Sequence, residues 1–441
     1  MRGLPRGWAI APLSQIAKIN PRHQKGLDDA MSVTFVPMAG LSASKPEFQF
    51  TEERSLGKVR KGFTHFAEGD VLFAKITPCM ENGKGAVARG LRNKLGCGTT
   101  ELHVIRPLAD ISSEYIYRFL AQDRVRQVAK ENFTGTAGQA RVPTSFIEEL
   151  EIPLAPLDEQ ERIMAKLEKL LSKVDASQKR LDKIPVILKR FRQSVLAAAC
   201  SGRLTADWRE QSGITVEPNQ TALEAITDYV GGFAYKSPTF LKVGKHQVVR
   251  IGNVRPLSLK LDTSPVFIPD DIAKETARFK LLTNDIVISM TGTKYKRDYG
   301  VAAIVLDSDG SVFLNQRVGR LRCGDKVLPK FLLYWFQTDN FRDFFFSSET
   351  GNVNQGNVGA DGIRKAPIEL PEVVEQQEII RRVESMFALA DQLEARFQNA
   401  QTQVEKLTPS ILAKAFRGEL VPQNPNDESA SALLECVKRT R

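Results

Sequence analysis

The sequence contains the stretch SVLAAACSGRL at residues 194–204, and a similar stretch, SILAKAFRGEL, returns at residues 410–420. The two are 216 positions apart. At that constant offset, the segment from about Tyr115 to Leu204 can be laid over Phe331 to Leu420 without a gap. Self-similarity at a fixed distance is the signature of a duplicated structural unit.

Polar matches show that the repeat is more than two amphipathic helices that agree by chance. Gln139 falls on Gln355, and the pair at 159–160, Glu-Gln, falls on the same pair at 375–376. Shared apolar periodicity would not place these polar residues in one register. The two halves of the chain are therefore copies of one unit.

Upstream of the repeated block the halves diverge. GDVLFAKITP (69–78) still resembles NDIVISMTGT (284–293), and both predict a buried strand after a turn. The segments that follow these strands have little in common. The fold class is therefore α+β: two globular heads with an internal pseudo-two-fold repeat, separated by two long antiparallel coiled-coil helices. The predicted divisions are a first head at 1–157, a first helix region at 158–205, a second head at 206–372, and a second helix region with a C-terminal tail at 373–441.

Apolar residues in both helix regions recur every three or four positions, which predicts the seam of a coiled coil. The predicted seam consists of Ile163, Leu167, Leu170, Val174, Leu181 and Ile184, and of Ile379, Val383, Met386, Leu393, Phe397 and Val404. A 26-residue segment would be ~39 Å long, close to one turn of B-DNA at roughly 34–36 Å.

Prolines predict an interruption in each helix. Pro185 predicts one helix near 159–184 and another near 186–200. Thr408-Pro409 reads as an N-cap followed by a first-turn proline, which predicts helices near 375–407 and 409–416. Gly202 and Gly418 are the expected C-terminal caps.

Charge favours a polyanionic partner. The 441 residues include 62 Lys and Arg against 52 Asp and Glu, a formal net charge of +10, which suits nucleic acid or an acidic membrane surface. The five cysteines are scattered without a CxxC pair, and the four histidines are isolated, so a disulfide framework or a metal site has little support. No signal pattern or 18-residue apolar run is present, which predicts a cytoplasmic protein and removes a membrane partner.

The heads carry clusters of side chains that can grip phosphates or read base edges. The candidates in the first head are Lys75, Lys84, Arg89, Arg92, Lys94, Gln139 and Arg141. Those in the second head are Thr293, Lys294, Lys296, Arg297, Arg317, Asn352, Asn354 and Gln355. Ordinary solvated loops are the alternative, and for the Gly-rich loops at 135–141 and 351–357 a structural turn capped by its Gln is equally compatible with the sequence.

Motifs for catalysis are not apparent: the sequence has no GxxxxGK[ST] phosphate loop, no HExxH and no Asn-Pro-Pro-aromatic tetrapeptide. Asn20-Pro21-Arg22-His23 is only half of the last. We therefore expect a binding protein without a catalytic centre. A self-contained DNA-modifying enzyme and a coiled-coil adaptor for proteins are the alternatives.

Across nearly its whole length the chain resembles the specificity subunits of type I restriction-modification enzymes, most closely the type IA branch. The resemblance rests on LPRGWAIAPL, IPLAPLDEQERI, ELPEVVEQQEII, IPVILKRFRQSVLAAACSGRLTADWR and LTPSILAKAFRGEL. The second half departs from the pattern, since ELPEVVEQQEII replaces the usual proline pair and Lys414 occupies a seam position. That departure puts the packing of the last helical turn in doubt.

The resemblance implies a sequence-specific DNA-binding subunit whose two heads each read one half of a bipartite, asymmetric target. It also implies that the paired helices set the spacing and dock two modification (methyltransferase) subunits. Restriction subunits with translocase and nuclease activity complete such an enzyme. S-adenosylmethionine, ATP and Mg are then expected on the partner subunits, and no cofactor or metal on this chain.

Overall fold

A computed structural model describes residues 4–43, 45–108, 110–136, 139–213, 218–352 and 354–440. The chain forms two compact units. The first unit comprises Met1–Asp182 and Asn399–Arg441, and the second comprises Lys183–Gln398. Each unit contains one head, which we define as residues 4–156 in the first unit and 218–372 in the second. The divisions predicted at 157, 205 and 372 stay predictions, because these units divide the chain differently.

Each head is built on a four-stranded antiparallel sheet, which we call the central sheet. In the first head its strands, in spatial order, are Ala17–Ile19, Leu102–Pro107, Val71–Ala74 and Gly85–Val87. In the second head they are Thr227–Gly231, Val318–Cys323, Ile286–Ser289 and Ala302–Ile304. The connectivity is the same in both heads, although their sequences differ. The two strands predicted from the sequence, at 71–74 and 286–289, are confirmed as buried members of these sheets.

Each head also contains a second sheet with matching strands. It consists of Glu52–Ser55, Ser32–Val36, Leu95–Gly98 and Thr64–Ala67 in the first head, and of Phe267–Ile268, His246–Val249 and Val312–Leu314 in the second. In each head one pair of its strands is parallel: Ser32–Val36 with Leu95–Gly98, and His246–Val249 with Val312–Leu314. A parallel pair requires a crossover connection, so its presence in both heads shows that they share one topology.

Smaller strands and short helices complete the heads. The remaining strands are Ala9–Pro12, Glu151–Leu154, Asn219–Ala222, Pro367–Leu370, Val254–Arg255, Ser258–Leu259, Thr291–Gly292, Thr350–Asn352 and Gln355–Asn357. The helices of the first head are Leu13–Ile16, Leu56–Val59, Ser113–Leu120, Asp123–Glu131 and Thr144–Glu149. Those of the second head are Asp270–Glu275, Pro329–Trp335, Asp339–Ser347 and Asp361–Arg364. The aromatic runs at 115–120, 331–336 and 341–346 contribute to the cores.

A buried ion pair fixes the central sheet of each head. Asp70 is fully buried, accepts hydrogen bonds from Arg106 at 2.7 Å through both oxygens, and caps the turn by accepting from the Ala67 amide. Asp285 forms the equivalent pair with Arg322, at 2.7 and 2.8 Å. A buried carboxylate is tolerated only when it is paired and hydrogen-bonded. The aspartate that precedes each predicted strand therefore has a structural role.

Three long helices follow the heads. Helix α1 is Leu157–Leu181, α2 is Ile184–Cys200, and α3 is Val373–Ala415. The interruption predicted at Pro185 is confirmed, since this residue lies in the first turn of α2. A short helix, Ala206–Gln211, follows α2.

The interruption predicted at Thr408-Pro409 is wrong, because α3 continues through Pro409 to Ala415. Proline inside a helix removes one backbone hydrogen bond. The last turns of α3 are held by other means, since Leu412, Ala415 and Phe416 are buried in the core of the first unit. Both capping glycines are confirmed, with φ of 69° at Gly202 and 70° at Gly418.

Burial of the predicted seam residues differs along the helices, and their packing between the two helix regions stays a prediction. Ile163, Leu167, Ile379 and Val383 are buried, and each joins the core of its own unit. Leu170, Val174, Leu181, Ile184, Met386, Phe397 and Val404 are half-buried. Leu393 is 43% exposed, and its assignment to the seam stays a prediction. Leu171 lies outside a strict heptad and is buried, because near the head the helix packs on the head as well.

A buried glutamate with hydrogen-bond partners distant in sequence marks the starts of α1 and α3. Glu159 accepts hydrogen bonds from the Trp8 indole at 3.0 Å and from Gln423 at 2.7 Å. Its counterpart Glu375 accepts from Thr205 and from Arg209, both at 2.6 Å. Glu159 therefore ties the segment after α3 to the start of α1, and Glu375 ties the segment after α2 to the start of α3.

The C-terminal segment lies on the first head. Arg162 donates to both oxygens of Asp427, and helix α4, Ala430–Thr440, buries Ala430, Leu434 and Val437 in the first core. Lys414, at a predicted seam position, is exposed, and its neighbours Ala415 and Phe416 pack instead. No disulfide joins the five cysteines, all of which lie within the described residues. Among the described helices, none has the length and apolar character needed to span a membrane.

Replacing Arg106 with alanine would leave Asp70 buried without its partner. We expect the free energy of unfolding of the first head to fall by about 3 kcal/mol. Amide hydrogen exchange should accelerate in Val71–Ala74 and not in Ile286–Ser289 of the second head. As a control, Lys438→Ala removes an exposed ion pair with Glu435, and the expected change is below about 1 kcal/mol. Unchanged protection in Arg106→Ala would show that the pair does not hold the sheet.

Candidate nucleic-acid interface

In each head three segments converge at the end of one strand of the central sheet, Val71–Ala74 in the first head and Ile286–Ser289 in the second. We call this place the junction. In the second head, Thr291–Gly292 pairs with Gln355–Asn357, which forms a hairpin with Thr350–Asn352. The Met290 amide donates to the Arg317 carbonyl at 3.0 Å. The junction therefore joins the loop after the strand, the turn before the neighbouring strand and the Gly-rich loop.

The first head has the same junction. Ile76 forms an isolated bridge with Arg141, and the Lys75 amide donates to the Glu101 carbonyl at 3.0 Å. The Thr77 amide donates to the Ala140 carbonyl at 3.0 Å. Strand end, turn and Gly-rich loop thus meet as they do in the second head.

Glycines permit this convergence. Gly135 and Gly351, which coincide in the repeat, have φ of 108° and 111°, a region that favours glycine. Gly356 lies so close to the hydroxyl of Tyr299 and the carboxylate of Glu349 that a Cβ would clash with both. Both glycines therefore lie in turns, while the choice between a turn capped by its Gln and a DNA contact of that Gln stays open.

In the first head, the structure separates the predicted residues. Lys75 and Arg141 lie at the junction, and Lys84 lies beside it, since the Ala74 amide donates to the Lys84 carbonyl. Arg89, Arg92 and Lys94 lie near the opposite end of the same strand, because Val87 pairs with Val71. Lys84 therefore does not cluster with these three residues, because the strand Gly85–Val87 lies between them and carries them to opposite ends of the sheet.

Most of these side chains already have partners. Arg141 donates to both oxygens of Glu101, at 2.8 and 2.7 Å, and these hydrogen bonds lower the pKa of that carboxyl. Arg89 pairs with Glu114, and Lys84 donates to the Met38 carbonyl at 3.2 Å. Arg92 lies 4.0 Å from Glu53. Lys94 and Gln139 are exposed.

In the second head, the predicted residues converge. Lys294 donates to the Gly351 carbonyl at 3.3 Å, which joins the loop after the strand to the hairpin. The Thr293 amide donates to Asp298 at 2.7 Å, and the Arg297 guanidinium lies 5.0 Å from the centre of the Phe346 ring. Lys296, Arg297, Arg317, Asn354 and Gln355 are exposed at or near the junction, whereas the side chain of Asn352 lies outside the described residues.

A groove beside each junction contains residues that the sequence analysis did not identify. The first groove, about 450 Å³, is lined by Arg22, Arg60, Lys61 and Lys75 among others. The second, about 530 Å³, is lined by Phe233, Arg278, Phe279 and Gln316 among others. The basic run at 58–61 was the available signal for the first groove, but only the fold brings it to Lys75.

The two grooves occupy the same place in the shared fold. One wall of the first groove is the segment that ends at His65, which pairs with Cys97 of strand Leu95–Gly98. One wall of the second groove is the segment before Lys280, which forms a bridge with Phe313 of the corresponding strand Val312–Leu314. Each groove is also bordered by the loop that leaves the first strand of the central sheet. We call them the first and second grooves.

A buried histidine links the first groove to the Gly-rich loop. His103 donates from Nε2 to the Val142 carbonyl at 2.8 Å, and its Nδ1 accepts from the Asn20 amide at 3.3 Å. Burial lowers the pKa of His103, which favours the neutral ring that this arrangement requires. His103 thus has a structural role.

Comparison with known proteins agrees with this architecture. A family model for the type I restriction modification DNA specificity domain matches residues 5–186 and 221–401. The chain belongs to this family. It is 30% identical to the EcoKI specificity subunit of Escherichia coli strain K12 and 31% identical to the StySPI specificity subunit of Salmonella potsdam. Both alignments cover 99% of this chain and 96% of the relative.

Solved structures show the same fold. The HsdS subunit from Thermoanaerobacter tengcongensis aligns with a TM-score of 0.64 at 19% identity, covering 94% of this chain and 98% of that one. A chain from a study of complex assembly and conformational transition of the type I R-M system aligns with a TM-score of 0.71 at 19% identity, covering 95% of this chain and 100% of that one. The predicted fold of two heads and long helices is thereby confirmed for this specificity subunit.

Replacing Gly356 with alanine should displace the hairpin of the second junction. The added Cβ would push against Tyr299 and Glu349, and overpacking of this kind costs about 1–3 kcal/mol. We expect faster amide exchange at Thr350 and Asn357. Gly359→Ala is the matched control, because its Cβ would meet no atom within 4 Å. Equal exchange in the two variants would argue against close packing under the hairpin.

Proposed function

We propose that this specificity subunit recognises a bipartite, asymmetric DNA duplex, with each head binding one half of the target. The observation that carries the proposal is one junction presented twice with different side chains. Lys75, Glu101 and Arg141 in the first head correspond to Met290, Arg317 and Asn357 in the second. A common frame with different chemistry fits two half-sites of different sequence, and the net charge of +10 fits a polyanion.

The candidate contact residues follow from this proposal. Gln139 and Gln355 are exposed and occupy equivalent positions in the Gly-rich loops. A glutamine can form a bidentate pair with adenine. Lys75, Lys294, Lys296, Arg297 and Arg317 would contact phosphates or bases near the junctions, with Thr293, Asn352 and Asn354 nearby. Arg89, Arg92 and Lys94 would reach DNA only if the bound duplex extends past the opposite end of the strand.

The helices would set the gap between the half-sites and dock two methyltransferase subunits. Support for docking comes from exposed apolar side chains on α3, where Leu389 and Leu393 are one turn apart and 53% and 43% exposed. Exposed apolar side chains that fall on one face mark interaction surfaces. Catalysis, with S-adenosylmethionine, ATP and Mg, would belong to the methyltransferase and restriction subunits, and the assembly would act on DNA in the cytoplasm.

The decisive experiment maps methylated adenines in DNA exposed to the chain together with the methyltransferase of its own system. We expect one split target, and neither methylation nor cleavage by the purified chain alone. Modification of DNA by the chain alone would support a self-contained enzyme. Failure to bind duplex DNA even with the methyltransferase would support a protein adaptor.

Single substitutions should separate the two heads. Gln139→Ala is expected to relax recognition of one half-site and Gln355→Ala of the other, each by about 1–3 kcal/mol if the amide contacts a base. Binding to duplexes with one substituted half-site measures this directly. Relaxation of both half-sites by either variant would contradict independent heads.

Shortening the helices should change the gap. Leu167 and Leu171 hold the first core, so the heptad to remove is 174–180, together with 399–405 of α3. A heptad is ~10.5 Å long, about three base pairs at 3.4 Å each. We expect methylation mapping to show a gap shorter by about that amount, or no recognition. Ser177→Ala keeps the length and should keep the gap, and an unchanged gap after deletion would refute the ruler.

A further inference from the structure

The first groove is lined by cations and, among the residues described as lining it, contains no carboxylate. Arg22, Arg60, Lys61 and Lys75 all border it. The Arg60 guanidinium already has partners within the first head, since it donates to the Leu27 carbonyl and lies 2.8 Å from the Asp29 carboxylate. The other three cations are the ones available to a ligand.

The carboxylate of Glu101, which adjoins the groove at Lys75, does not cancel this charge. Glu101 adjoins Lys75 through the backbone, but both of its oxygens accept hydrogen bonds from Arg141, at 2.8 and 2.7 Å. A bidentate guanidinium is the strongest partner that a carboxylate finds in a protein. The pair is therefore internally neutral, and the charge of Arg22, Lys61 and Lys75 remains in excess.

Two stacked histidines hold the loops that carry these cations. The rings of His23 and His65 lie 4.4 Å apart, and the His23 amide donates to Nδ1 of His65 at 3.3 Å. Nε2 of His65 then donates to the Arg60 carbonyl at 2.8 Å. His23 follows Arg22, and Arg60 precedes Lys61, so the pair fixes the backbone beside both cations. A site organised before binding loses less entropy on binding.

The second groove has a different character. Arg278 is the cation that lines it, and its guanidinium lies 4.6 Å from the centre of the Phe279 ring. Phe233 and Phe279 are 5.2 Å apart and join the two loops that histidines join in the first head. The same position in the fold therefore offers several free cations in one head and an aromatic surface in the other.

We propose that the first groove binds a backbone phosphate of the DNA duplex through Arg22, Lys61 and Lys75, and that the second groove has no equivalent phosphate site. This inference rests on the proposed function, since it names one contact of the DNA-binding surface. Arg22 and Lys61 on two loops and Lys75 at a strand end can surround the charged oxygens of a phosphodiester, which carries one negative charge. The contact positions the duplex and carries no sequence information. Removing one of these cations should therefore weaken the salt dependence of binding for any duplex sequence.

The test measures duplex affinity against salt for the complete complex of this chain with its methyltransferase. Lys61→Gln should lower the slope of log K against log salt by about 1. Affinity should fall equally for target and unrelated duplexes, so the specificity ratio is unchanged. Lys274→Gln, which removes an exposed lysine of helix Asp270–Glu275, should leave the slope as it is.

A neutral methylphosphonate linkage, moved one position at a time along the target, then locates the phosphate. At one linkage in the first half-site the wild-type chain and Lys61→Gln should bind equally, because the charge that Lys61 contacts is gone. At linkages in the second half-site the difference should persist. An unchanged slope in Lys61→Gln, or an effect located in the second half-site, would overturn the groove assignment. Failure of the wild-type complex to bind any duplex would instead overturn the proposed function.

Discussion

Each head is closed at the point where its long helix begins, and the remaining structure depends on this closure. The first strand of a head pairs with the strand that leads into the helix, Ala9 opposite Leu154 in one head and Asn219 opposite Leu370 in the other. The buried glutamates Glu159 and Glu375 lie a few residues further on, each holding a segment distant in sequence. The orientation of a helix relative to its head is therefore set by backbone pairing and by buried hydrogen bonds, both of which are short-range and directional.

This closure explains how one frame can present two chemistries. The sheet order, the parallel pair and the Asp–Arg ion pair are made of backbone bonds and a few buried side chains, and they recur in both heads. The loops at the two junctions differ in their side chains, although each contains a glycine with positive φ, Gly135 or Gly351. Stability and recognition thus reside in separate residues, which suits a protein that recognises two half-sites.

Several features could be read from the sequence for identifiable reasons. The buried strands at 71–74 and 286–289, the break at Pro185 and the capping glycines have local signals, namely apolar runs, a missing amide and a positive φ. The prediction at Thr408-Pro409 failed because burial of Leu412 and Phe416 outweighs the local cost of proline. The sequence could not show that Lys84 lies near one end of the central sheet and Arg89, Arg92 and Lys94 near the other, because the strand Gly85–Val87 separates them. The contacts predicted for DNA, Gln139 and Gln355 among them, stay predictions.

By itself, the sequence determined the duplication, the family, the positions of the long helices and the basic character of the chain. All of these are recorded in residue spacing or composition, which do not depend on how distant segments meet. The tertiary structure alone decided that the two ends of the chain share one unit, that the heads have one topology, and that Arg22, Lys61 and Lys75 face one groove. Those facts follow from contacts between residues far apart in sequence, and such contacts are selected by the packing of the whole core rather than by any local pattern.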